Sequence, residues 1–269
     1  MTMPIRNAFK HALAAGQPQI GLWSTLASTY VTEMLAGSGF DWMLLDTEHT
    51  PSDVPLMLQQ LQALDAEPAR RTAAVVRPAW NDPVLIKRYL DIGAQTLLLP
   101  FVQDADEARA AVAATRYAPV GGRGMGGSVR ASRFGRDTGY AANASDELCV
   151  LVQVETAQAL GHIEAIAAVD GVDGIFIGPA DLSASMGHPG NSGHPQVRSA
   201  IADAIRRIRA CGKAPGILVT DEVWARECLD QGALFVAVGI DMLLLRQSAD
   251  ALAGRFRPQA AGVVVKSGY

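Results

Sequence analysis

Residues 149–181, CVLVQVETAQALGHIEAIAAVDGVDGIFIGPAD, contain a strand, a helical stretch and a second strand in close succession. The run at 149–155 and the run GIFIGP at 174–179 are apolar almost throughout, with no polar alternation. A strand that is apolar on both sides is covered on both faces, which is the condition of a parallel sheet wrapped in helices. The intervening TAQALGHIEAIAAV places its apolar residues at helical spacing, so the segment reads as one βαβ unit with a crossover helix.

The same unit repeats outward in both directions. Further strands are expected at IGLWST (20–25), DWMLLDTE (41–48), AAVVRP (73–78), TLLLPFV (96–102), APGILV (214–219) and LFVAVGID (234–241), which makes eight in all. Helical stretches separate them: STYVTEMLAGSG, SDVPLMLQQLQAL with Ser52 as N-cap, NDPVLIKRYLDIGA, DADEARAAVAATR, PQVRSAIADAIRRIRACG, DEVWARECLDQGA and DMLLLRQSADALAGRF. Eight alternations without a Pro/Ser-rich linker predict a single α/β domain over 1–269, a (β/α)8 TIM barrel. An open doubly wound sheet is the alternative, but the first turn, STLAST, lacks the glycine fingerprint of a dinucleotide fold. Residues 117–147, rich in Gly and Arg, read as a long loop insertion of the kind that serves as a lid, and residues 255–269 as a short C-terminal extension.

Composition narrows the function. With 49% apolar residues over 269 positions, the chain can bury a core without disulfides or metals as staples. The 23 basic against 27 acidic residues give a net charge of -4, which excludes the electrostatic footprint of a nucleic-acid or anionic-membrane binder. Cys149, Cys211 and Cys228 form no paired pattern and read as reduced thiols. No signal peptide and no long apolar stretch is evident, so a cytoplasmic enzyme is expected.

Barrel active sites lie at the carboxyl ends of the strands, so those ends are where chemistry should be sought. The second strand ends in Asp46-Thr47-Glu48-His49, the third in Arg77-Pro78, the fifth in Gln153-Val154-Glu155 and the sixth in Gly178-Pro179-Ala180-Asp181. Glu155 and Asp181 come from adjacent strands and would repel each other without a cation between them. Two carboxylates without a Cys or His cluster suit Mg²⁺ or Mn²⁺; the plainer reading is that each caps a helix. Arg77 can grip a carboxylate or hold a developing enolate, or serve in a structural ion pair. Asp46, three residues before His49, is expected to orient that ring as a base, although His49 also reads as an ordinary loop histidine.

The four lysines, Lys10, Lys87, Lys213 and Lys266, all fall away from strand ends, which disfavours Schiff-base chemistry. The glycine run at 121–127 reads as flexible loop more readily than as an anion cradle, and His188 and His194 lack the partners of a zinc site.

Taken together, GLWSTLAS, GFDWMLLDTEHTP, VVRPAWNDP, QTLLLPFVQ, LVQVET, GVDGIFIGPADLSASMG and GALFVAVGID resemble the HpcH/HpaI aldolase family over essentially the whole chain. The resemblance implies a barrel of the phosphoenolpyruvate/pyruvate type, assembled as a homohexamer (dimer of trimers) with a swapped C-terminal helix. It also implies class II, divalent-metal-dependent chemistry with Mg²⁺, Mn²⁺ or Co²⁺: reversible retro-aldol cleavage of 4-hydroxy-2-oxo acids to pyruvate and an aldehyde. Carried over by residue, Glu155 and Asp181 hold the metal, Arg77 stabilises the enolate, and His49 with Asp46 serves the base step. Gln153, Gly178, Pro179 and Ala180 hold pyruvate, and Trp23 and Leu218 line the pocket. The sequence departs from one member of that family at Thr47, where the relative carries glycine, and in the length and content of 121–136; both are expected where the variable end of the substrate sits. An acyl-CoA lyase of the malyl- or citramalyl-CoA type, a 2-dehydro-3-deoxy sugar-acid aldolase and a non-catalytic sugar-acid binder are the alternative functions.

Overall fold

The computed structural model describes residues 6–67 and 72–257. Among them, eight strands close into a barrel in chain order: β1 Gln19–Ser24, β2 Trp42–Asp46, β3 Ala73–Arg77, β4 Thr96–Leu99, β5 Cys149–Val154, β6 Gly174–Ile177, β7 Ala214–Leu218 and β8 Phe235–Ile240. Every neighbouring pair is parallel, including β1 with β8. All eight expected strands are present, and each stops one to three residues earlier than expected. The trimmed residues, among them Thr47, Pro78, Pro100 and Glu155, lie beyond the last ladder pairings at the carboxyl ends. Proline has no N–H for the ladder, and Phe101 turns the chain out with φ 56°.

Helices pack outside, and two apolar clusters fill the space between them and the sheet. The stretch 156–169 is two short helices, Ala157–Leu160 and Ile163–Ala167, separated around Gly161. Ser52 is not the cap of the helix Val54–Ala66. Asp53 takes that place, because its extended backbone lets its carboxylate accept from Leu56 N at 3.1 Å, while the Ser52 hydroxyl donates to Gln60.

A third cluster fills the barrel interior, with Trp42, Leu44, Phe176 and Phe235 at its centre. The helix Ala8–Ala14 closes the amino end of the barrel, setting Phe9 against Trp42 and Phe235 at ring separations of 5.9 and 6.0 Å. Two strand glycines make room for these rings. A Cβ on Gly21 would lie 2.1 Å from the Trp42 ring, and one on Gly216 the same distance from Phe235. Gly21→Ala is therefore expected to destabilise the protein by about 2–3 kcal/mol through overpacking, lowering the melting temperature by roughly 5–10 °C. Thermal unfolding checks this, and a second change, Trp42→Leu, should recover part of the loss.

The ring is sealed where its first and last strands meet. Asp241, at the end of β8, accepts from Ser24 Oγ (2.9 Å), Thr25 N (2.8 Å), Thr25 Oγ1 (2.9 Å) and Leu26 N (3.2 Å). Its side chain is buried, so these bonds stand in for water.

The segment 117–147 connects the helix Ala105–Thr115 to β5, and it contains the helix Tyr140–Glu147 and a single turn at Arg130–Ser132. It was expected as a lid over the mouth. In the fold of one chain it lies at the other end: Arg130 binds Ile92 O and Asp65, and Asn7 binds Glu147. A helix-to-strand connection of this kind belongs to the amino end of the strands. Of the C-terminal extension, residues 258–269 lie outside the described residues, as does Lys266. Among the described residues no helix is long and apolar enough to cross a membrane.

Candidate active site

The carboxyl end of the barrel gathers the expected polar residues. Arg77 ends β3, opposite Asp46 at the end of β2 in the strand register. Its guanidinium is held on every side: Nε donates to Asp46 Oδ1 at 2.9 Å, Nη2 to Asp46 Oδ2 at 2.7 Å, and Nη1 lies 2.7 Å from Glu48 Oε2. Trp23 lies under its flat face, 4.8 Å from Cζ to the ring centre. Burial works against the Arg77 charge, but the hydrogen bonds to Asp46 and the fields of Asp46, Glu48 and Glu155 outweigh it and hold the pKa above its ordinary value. Arg77 is thus a permanent cation with fixed orientation, 5% exposed, at the floor of the mouth.

Glu155 follows β5. Its Oε1 accepts from Phe101 N at 2.9 Å and its Oε2 from Gln153 Nε2. The left-handed backbone at Phe101 is uncommon for a bulky residue, and that residue's N–H is what Glu155 binds. Burial pushes the Glu155 carboxyl up to about 7, and the carboxylates of Asp181 and Glu48 push the same way. Glu155 does not cap the next helix, because Thr156 does, accepting from Ala159 N. Asp181 lies in the first turn of the helix Pro179–Ser185 and is exposed, with no side-chain cap bond there. Gly178 permits the close approach: a Cβ there would sit 2.6 Å from Glu155 Oε2.

These residues form a fitting seat for a hard divalent cation. Gln153 Oε1 is buried with no hydrogen-bond partner among the described residues, next to a carboxylate that its surroundings make costly to ionise. A cation on that carboxylate would offset the cost of its charge, and a bound ligand would answer the open Gln153 oxygen. Among the described residues no group of three His, Cys, Asp or Glu is arranged to hold a metal, so the protein's share of the coordination would come from the two carboxylates. Trp23 and Leu218 belong to the interior apolar cluster, with Trp23 packed 5.4 Å from Phe176, and supply a dry wall.

Two expectations change. Asp46 does not orient His49: its carboxylate is taken up by Arg77, by Glu48 N at 3.0 Å and by Trp23 Nε1 at 3.5 Å. The ionic neighbour of His49 is Glu48, 3.9 Å away, and the imidazole is 67% exposed. Thr47 does not face the substrate, since its hydroxyl donates to Arg77 O at 2.7 Å and accepts from Tyr89 at 3.0 Å, behind β3. The sequence did contain a signal for Glu48, a second acid within Asp46-Thr47-Glu48-His49. The Phe101 contribution is a backbone N–H and leaves no trace in residue type. Neither Lys10, Lys87 nor Lys213 reaches the mouth; Lys10 and Lys213 bond to carbonyls at the amino end. The rings of His188 and His194 stack at 3.5 Å.

A family model described as HpcH/HpaI aldolase/citrate lyase matches residues 19–248. The chain is similar to the 4-hydroxy-2-oxo-heptane-1,7-dioate aldolase of Klebsiella pneumoniae subsp. pneumoniae, with 59% identity over 95% of this chain and 96% of that protein. Among solved structures it is similar to an HpcH/HpaI aldolase/citrate lyase family protein from Burkholderia cenocepacia J2315, with a TM-score of 0.89, 39% identity, and coverage of 93% and 99%. The citrate synthase SbnG superimposes with a TM-score of 0.80 at 26% identity, covering 93% of this chain and 97% of that one.

Proposed function

Because the chain belongs to the HpcH/HpaI aldolase/citrate lyase family, we propose that it cleaves 4-hydroxy-2-oxo acids such as 4-hydroxy-2-oxoheptane-1,7-dioate reversibly to pyruvate and an aldehyde. It is a carbon–carbon lyase of the class II pyruvate aldolase type. The observation that carries the reading is the pairing, at one barrel mouth, of a fixed buried cation, Arg77, with a carboxylate seat at Glu155 and Asp181.

A divalent ion, on which the family depends, would be held by Glu155 and Asp181 and would act as a Lewis acid on the 2-oxo group. Gln153 and the backbone of Gly178, Pro179 and Ala180 bind the pyruvate half in this proposal, against the wall of Trp23 and Leu218. His49 takes the proton from the 4-hydroxyl through a water. The C3–C4 bond then breaks, its electrons passing to the pyruvate half as an enolate while the C4 oxygen becomes the aldehyde carbonyl. Arg77 holds the charge that develops on the enolate oxygen, and protonation at C3 gives pyruvate. With no lysine of the described residues at the mouth, an imine route has no amine to use.

The test is a coupled assay of pyruvate release over a panel of 4-hydroxy-2-oxo acids, sugar acids and malyl- or citramalyl-CoA. Chelator should abolish release from the hydroxy-keto acids, and Mg²⁺, Mn²⁺ or Co²⁺ should restore it. Activity on the thioesters alone, or full activity after demetallation, overturns the reading.

A cytoplasmic location is supported by three free cysteines, two of them buried. The homohexamer is supported by the helix Asp241–Phe256, in which Asp241 alone is buried while Leu244, Leu245, Leu252 and Phe256 stand exposed. Such an apolar face calls for cover by another copy.

A further inference from the structure

We propose that Glu48 is the positioning residue that ties the charge-holding Arg77 to the proton-transferring His49, the part expected of Asp46. The inference rests on the aldolase reading and deepens it. Asp46 has no capacity left, because both of its oxygens face Arg77 and the remaining approaches are taken by Glu48 N and Trp23 Nε1. Glu48 differs. Its Oε2 is in charge contact with Arg77 Nη1 at 2.7 Å, yet no hydrogen bond is aligned on that oxygen. The second basic group within ion-pair reach of it is His49 Nε2, at 3.9 Å.

A buried acceptor without an aligned donor favours any donor that can turn toward it. The His49 side chain is 67% exposed and the Glu48 side chain 14%, so the imidazole has the freedom to move and the carboxylate does not. One carboxylate oxygen is thus within ion-pair reach of both a fixed cation and a mobile base. When the imidazole takes the 4-hydroxyl proton it becomes a cation, and Glu48 is placed to stabilise it. When charge on the enolate oxygen draws on Arg77, the hold of Arg77 on Glu48 weakens, which frees Glu48 for the imidazolium. Burial opposes the Glu48 anion most and holds its pKa above the ordinary value; of the charged groups acting on it, Arg77 and His49 favour the anion and Asp46 and Asp181 oppose it.

Glu48→Gln keeps the shape and removes the charge. In the metal-loaded enzyme it is expected to lower kcat at least tenfold while KM changes less than about twofold, as befits a group that acts through the proton-transfer step. The acid limb of the kcat–pH profile should move to lower pH, since the imidazolium loses its partner. Glu48→Asp should recover part of kcat. An NMR titration of the His49 ring, which needs no substrate, should show its pKa falling in Glu48→Gln and unmoved in Asp46→Asn. An unchanged His49 titration in Glu48→Gln, or the larger fall in Asp46→Asn, overturns the assignment of Glu48. Absence of pyruvate release by the wild-type enzyme would instead overturn the aldolase reading.

Discussion

Glu155→Gln is expected to reduce kcat/KM for pyruvate release by at least about 10³-fold, a loss on the scale of removing a catalytic ion's electrostatic help. An amide has no charge to offer a cation, and it has one acceptor oxygen where Phe101 N and Gln153 Nε2 both need one. Calorimetry with Mg²⁺ or Mn²⁺ should show the loss as weakened binding. The same residue predicts a pH dependence of stability in the demetallated protein. Its carboxyl lies at about 7 in the fold against an ordinary value of 4.5, so between those values the folded state binds more protons than the unfolded state. Stability is then greatest below 4.5 and falls as pH rises through 7, by about 3 kcal/mol at most. Chemical denaturation from pH 5 to 8 checks the sign: wild type should weaken, and Glu155→Gln should lack that component. A wild-type curve without it would mean that Glu155 ionises freely.

Arg77→Ala is expected to lower kcat by about 10²–10³-fold, with a smaller rise in KM, because the charge it faces exists mainly in the transition state. It should also cost roughly 3–5 kcal/mol of stability, since it strands Asp46, 2% exposed, and the largely buried Glu48 side chain without their cation. Arg77→Lys separates the two effects. It restores a positive charge but cannot reproduce the two-pronged grip on Asp46, so it should fold better than the alanine variant and still turn over slowly. Turnover equal to wild type in Arg77→Ala would remove the residue from the chemistry.

Periodicity made the eight strands legible because both faces of each are covered, and such strands announce themselves as continuous apolar runs. Their carboxyl ends were harder to place, since Pro78, Pro100 and Glu155 follow apolar residues without a turn signal and leave the ladder for reasons of hydrogen bonding. The strand-end inventory brought Arg77, Glu155 and Asp181 to one mouth. It failed at Asp46 and His49, where spacing along the chain suggested a contact that the Arg77 guanidinium pre-empts from the next strand. It failed also for residues 117–147, whose composition suggested a lid but whose place between a helix and a strand puts it at the other end. Residue type shows what a side chain can bond to, and competition among neighbours decides what it does bond to.

The clasp at Asp241 sets a condition on synthesis. Its partners, Ser24, Thr25 and Leu26, are made at least 215 residues before Asp241 itself. At about 5–20 residues per second, the first strand waits on the ribosome for tens of seconds with one edge open before its last neighbour emerges. A nascent chain halted short of that aspartate would expose this edge, and such stalled products are where chaperone demand and aggregation should concentrate.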